Sequence, residues 1–190
     1  ASNLLLAAGL LFLLINLNSI DFYQWINLEG YDIALDVIFI VSLGKLFTMS
    51  MGCLNNIITN SKYYIYVFWF SIVSAVLAVV LNLYLINELG IIGAAYATLI
   101  VIALNNVAKI LLIQFTFKIN PFSNKTFFTL GIILLLYVLI PLIPLDFSPF
   151  LSLVIRSLVI VITFLIFSRV FKLTGDFQNV VNKFNFLKKK

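Results

Sequence analysis

The stretch Ile132–Ile143 reads IILLLYVLIPLI, with no charged residue in it. A membrane-barrel strand would put a polar residue at every second position, so a run this continuous belongs to a helix. Inside a bilayer there is no water to satisfy the backbone, and a helix satisfies it internally. Crossing the hydrocarbon takes roughly 20 apolar residues. Extended in both directions, the run covers about residues 126 to 144, and five more of similar length fall at about 3 to 20, 33 to 59, 63 to 86, 91 to 117 and 150 to 171. The expected fold class is therefore an all-α integral membrane protein with six transmembrane helices. Pro141 falls inside the fifth run and is expected to kink or shorten it.

Composition leads the same way. The chain is 63% hydrophobic and 10% charged, against about a quarter charged for a soluble domain. Its net charge of +5 comes from basic residues beside apolar runs and from Lys188, Lys189 and Lys190 at the end, a placement that suits membrane anchoring and not nucleic acid. With no His and a single Cys53 inside an apolar run, disulfide frameworks, zinc sites and Cys/His catalysis have no raw material. Neither a metal nor a cofactor is expected. No Lys or Arg precedes the first run and the chain opens on Ala1, which reads as a segment of a longer protein more than as a signal peptide.

The connecting loops sort by sign. Asp21, Glu29 and Asp32 lie after the first run, Glu88 after the third and Asp146 after the fifth. Lys62 follows the second run, and Lys118 and Lys125 follow the fourth. Arg169, Lys172 and Lys183 lead into the closing lysines. Because Lys and Arg stay on the cytoplasmic side, both ends of the chain are expected there, in a multi-pass protein of the bacterial cytoplasmic membrane. Residues 173–190 carry Phe177, Val180, Val181, Phe184 and Leu187 at helical spacing beside Lys183, a pattern for a basic amphipathic tail on anionic lipid.

Polar residues at membrane depth are the candidate site. On the second run Ser42, Lys45, Thr48, Gly52, Asn56 and Thr59 recur within about 60° at 100° per residue, a continuous polar stripe if the run is one helix. Lys45 would sit about 18 Å from the outer end, where a Lys costs at least ~2.5 kcal/mol, and is expected to face a wet cavity, an anion or partners within the bundle. The third run has Ser71, Ser74, Ala78 and Asn82 on one face, and the fourth has Ala95, Thr98, Asn105 and Lys109. Helix packing or cavity lining would each use such stripes. Lys109 reads as a snorkelling residue near a helix end. Arg156 reads as an anchor or a second anion contact. No paired carboxylates lie at membrane depth, so an enzyme is not expected.

From Asn82 the chain reads NLYLINELGIIGAAYATLI. This resembles the hairpin of the multidrug/oligosaccharidyl-lipid/polysaccharide flippase superfamily, where "LNxxLI…GIxGAAxAT" recurs. It is carried by Leu81, Asn82, Leu85, Ile86, Gly90, Ile91, Gly93, Ala94, Ala95, Ala97 and Thr98, with Asn87 where the family usually has Pro. The stretches EGYDIALDVIFIVSLGKL, MGCLNNIITNSKYYIY and KINPFSNKTF are similar to the polysaccharide-export branch. The resemblance implies a MATE-like bundle of two lobes around a central cavity. Residues 1–117 would be the last four helices of the second lobe and 118–172 two additional transmembrane helices, while the remaining N-terminal lobe would be a partner. It also implies transport of lipid-linked oligosaccharide, on an undecaprenyl pyrophosphate carrier, in O-antigen, capsular or exopolysaccharide biosynthesis. Lys45, Thr48, Asn56, Asn82, Asn105 and Arg156 are the candidate cavity residues, Lys45 first among them as a pyrophosphate contact. The alternatives are a peptidoglycan-precursor flippase or cation-coupled multidrug exporter of the same superfamily and, from another class, a membrane-embedded glycan polymerase or acyltransferase working through Asp21, Glu29 and Asp32. Membrane lipids are expected partners in every case. Six helices enclose at most half of a two-lobed cavity, so this piece is expected to be inactive alone.

Overall fold

A computed structural model describes residues 2–118, 120, 122–143 and 147–171. Among these residues seven α-helices follow one another: α1 (Ser2–Trp25), α2 (Asp32–Ser50), α3 (Leu54–Thr59), α4 (Tyr64–Leu89), α5 (Ile91–Phe117), α6 (Asn124–Leu139) and α7 (Pro149–Val170), with a 3-10 turn, Ile140–Leu142, closing α6. No strand occurs among the described residues. All but α3 are long and apolar enough to cross a membrane, six in number, as a multi-pass membrane protein needs. Asp146, Lys172 and the tail from residue 173 lie outside the described residues.

Three local features depart from or refine the sequence reading. The first run does not stop at residue 20; α1 continues to Trp25, so Asp21 is a helix residue and not a loop residue. The second run is not one helix. It ends at Ser50, turns through Met51–Cys53 with Gly52 at φ +63°, and restarts as α3. Leu54 and Ile58 of α3 join Met51 in one cluster around Ile113 of α5, so the chain turns beneath the bundle there instead of running on. Pro141 cannot donate to a helix bond, and the α-helix accordingly gives way to the 3-10 turn. At its other end α6 starts from a capping box in which Ser123 and Thr126 satisfy each other's backbone.

The helices pack as a layer. α4 lies against α5, α5 against α2, and α2 against α1; α6 and α7 both pack on α1. Leu5, Leu13, Ile133, Leu136, Ile160 and Phe164 form the main core where α1, α6 and α7 meet. The α4–α5 hairpin turns on Gly90, whose φ of +63° and ψ of −140° suit only glycine. Gly93 then sits so close that an added Cβ would lie 2.0 Å from the Leu85 carbonyl oxygen. The hairpin is built by the absence of a side chain there.

Candidate functional site

The seam between α2 and α5 fixes the geometry of the polar stripes. Gly44 brings α2 close enough that a Cβ would lie 3.3 Å from Ile102 and 3.4 Å from Leu99. One turn further, Asn106 Nδ2 donates to Thr48 Oγ1 at 3.0 Å, and Thr48 Oγ1 donates to the Gly44 carbonyl at 3.0 Å. On its other flank α2 meets α1, where Asn16 Nδ2 donates to Ser42 Oγ at 2.8 Å. Thus Ser42 and Thr48 of the expected stripe bind neighbouring helices. The stripe is also interrupted, because Gly52 lies in the turn and Asn56 and Thr59 lie on α3, where both are exposed.

Lys45 lies between those two contact faces and is exposed. With α2 ending at Ser50, it stands five residues, about 7.5 Å, from the helix end. The long stretch of helix beyond it that the sequence suggested is absent, and its ammonium can reach toward the basic end. On α5, Leu99, Ile102 and Asn106 face α2, while Gly93, Leu104 and Ala108 face α4. Thr98, Asn105 and Lys109 occupy the flank between these faces at 100° per residue. α2 and α5 both run from the acidic end to the basic end, so their common right-handed winding puts Lys45 on the same side of the layer as that flank. The Thr48–Asn106 bond sets the level: Lys45 is one turn to one side of it and Lys109 one turn to the other, about 9 Å apart along the axis.

Neither lysine has an ion pair or hydrogen bond among the described residues. Glu29, Asp32, Asp36 and Glu88 are gathered toward the opposite end. Lys109 is half-buried. Asn105 lines a crevice of about 370 Å³ between α4 and α5 with Phe70, Ser74 and Leu77, and its buried Oδ1 has no hydrogen-bond partner. Asn82 is half-buried and turns its amide back to the Ala78 carbonyl at 2.7 Å.

No protein-family model, curated protein or solved structure matches this chain.

Arg156 stands apart from this face. Its Nη1 lies 2.8 Å from Asp21 Oδ2 and donates to the Leu17 carbonyl at 2.9 Å, tying α7 to α1. The guanidinium is thereby committed to a structural tie and does not open onto the face that bears Lys45. The sequence pattern puts Asp21 in a loop, which hides the pair. Nor does the pattern single out Asn106, the residue that joins α5 to α2. The signal was the adjacent pair Asn105–Asn106: two neighbours 100° apart cannot both serve one stripe.

Proposed function

We propose that this chain is the closing part of a flippase of the multidrug/oligosaccharidyl-lipid/polysaccharide superfamily, moving a lipid-linked oligosaccharide on an undecaprenyl pyrophosphate carrier across the bacterial cytoplasmic membrane. In that reading α1, α2, α4 and α5 are the last four helices of a MATE-like second lobe and α6 and α7 the additional pair. The basic end, with the C-terminus, lies in the cytoplasm. The observation that carries the proposal is the pair of lysines, Lys45 and Lys109, that have no partner among the described residues and lie on one side of the α2–α5 layer beside Thr98 and Asn105. Cations in an apolar span without counter-charges favour an anionic cargo, and two lysines whose backbone positions lie about 9 Å apart along the axis have side chains long enough to converge on a pyrophosphate through charge-assisted hydrogen bonds. The hydroxyl and amide beside them suit sugar hydroxyls. The resemblance of Asn82–Thr98 to the superfamily's hairpin supports this reading, and the turn that Gly90 and Gly93 build gives that pattern a physical reason.

In the intact transporter, Lys45→Ala is expected to abolish surface polysaccharide at unchanged membrane abundance, and Lys109→Ala to reduce it. Full surface polysaccharide in the Lys45→Ala, Lys109→Ala double variant would remove the pair from the mechanism.

A further inference from the structure

The register of the α4–α5 hairpin sets out the crevice between its two helices. From the close approach of Gly93 to the Leu85 carbonyl, Asn105 lies twelve residues on along α5 and Ser74 eleven back along α4, so antiparallel packing brings them to one level. Both line the crevice of about 370 Å³. By the same count Phe70 shares a level with Lys109, one turn nearer the basic end, and Leu77 shares one with Val101, toward the acidic end. Asn105 stands at the middle of α5 (Ile91–Phe117), the depth at which transporters hold their cargo.

The two polar side chains of the crevice are uncommitted among the described residues. Ser71 donates to the Val67 carbonyl at 2.8 Å, and Asn106 donates to Thr48 at 3.0 Å. Ser74 and Asn105, on the same helices, make no such bond, and the buried Asn105 Oδ1 is an acceptor without a donor. The amide of an Asn turns readily about its last torsion, which lets Oδ1 swing into the crevice. Every other lining residue is apolar and none is charged. The group that fits is therefore neutral, carries one donor and one acceptor, and is otherwise apolar. A phosphate or a cation would lie there without a counter-charge, and a bare sugar ring would bury several hydroxyls against apolar walls.

A trans secondary amide meets these demands together. Its N–H and C=O point to opposite sides, as the two polar side chains stand on opposite walls. The N–H donates to Asn105 Oδ1 on α5, while Ser74 Oγ on α4 donates to the carbonyl oxygen. The substituents of the amide then run along the crevice. A methyl at one end packs on Leu77 and Val101; a sugar at the other reaches the level of Phe70 and Lys109, about 6 Å away along the axis.

We propose that this crevice takes the acetamido group of a 2-acetamido sugar joined directly to the pyrophosphate of the cargo, an assignment that rests on the transport reading of Lys45 and Lys109. Asn105 Nδ2 remains for a sugar hydroxyl.

The test measures binding to the purified, intact protein in detergent by titration calorimetry. The probes are uridine diphosphate N-acetylglucosamine and uridine diphosphate glucose. They share a sugar-linked pyrophosphate and differ only in having an acetamido group or a hydroxyl on the carbon next to the anomeric one. The acetamido compound is expected to half-saturate at an about tenfold lower concentration, the effect of the added hydrogen bonds and a buried methyl. Asn105→Leu, which fills the same space without an acceptor, is expected to bring the two compounds to equal half-saturation, and Ser74→Ala to narrow the ratio to about threefold. Should Asn105→Leu fail to fold, the wild-type comparison decides alone. Equal binding of the two compounds by the wild-type protein overturns this proposal and leaves the transport reading standing. So does an undiminished acetamido preference in folded Asn105→Leu. Binding of neither compound overturns both, because the pyrophosphate contact then fails.

Discussion

The two ends of the helical layer are made of the same kind of residue and behave differently. Around α1, the packing of α6 and α7 buries Leu5, Leu13, Ile133, Ile160 and Phe164. At the other end α4 has no buried residue, although it is among the most apolar of the spans. Val76, Val79, Val80 and Leu83 all lie exposed on it. In water that face would be intolerable; in lipid it costs nothing, because acyl chains are as apolar as leucine. Helices in a bilayer associate through close packing and polar ties, and the two ends use different ones. The α1 end uses a wide interlocked core and a charged tie, whereas the α4 end relies on two glycines.

That contrast can be broken from either side. The largest effect is expected at the charged tie. Arg156→Ala leaves Asp21 buried without its counter-charge, and loss of one partner of a buried pair costs about 3 kcal/mol or more. Arg156→Ala is therefore expected to detach α7 and lower the unfolding midpoint in a detergent titration more than Arg156→Ala combined with Asp21→Asn.

Next comes the hairpin. Gly93→Ala sets a methyl against the Leu85 carbonyl, a backbone atom that cannot step aside, and is expected to cost about 2 kcal/mol. Gly9→Ala meets chiefly the end of the Ile133 side chain, which can rotate, and is expected to cost well under half as much. Equal losses at the two glycines would show that the α4–α5 hairpin is no more dependent on close approach than the α1 core.

A smaller effect is expected at the seam between the two ends. Asn106→Leu removes the bond to Thr48, and interhelical hydrogen bonds in membranes are worth about 0.6 kcal/mol on average. The smallest belongs to Val79→Ala on the exposed face of α4, expected to leave the unfolding midpoint unchanged. A clear loss there would mean that something other than lipid covers that face.

The positions of the spans were legible because each crossing must supply its own apolar length, and that requirement is local. The end of α6 was legible for a similar reason, since Pro141 acts on its own helix. The break at Met51–Cys53 was not, because the turn and α3 stay apolar enough to extend the run. Lys45 was found from its charge in an apolar run, but its exposure and its distance from the helix end depended on that break. Lys109 reads from the sequence as a snorkelling residue near a helix end, and only the Thr48–Asn106 bond shows that it shares a side and a level with Lys45.

By itself, the sequence determined six helices, their alternating direction and the glycines on which the hairpin turns, since these follow from hydropathy, charge and backbone freedom over a few residues. Only the tertiary structure decided which polar residues became ties between helices and which stayed open. Asp21 and Arg156 are far apart in the chain and meet because α7 packs on α1. Lys45 and Asp36 share one helix and face opposite sides because α1 and α5 occupy the faces between them. Partner choice in a bilayer depends on which surfaces touch, and no local pattern records that.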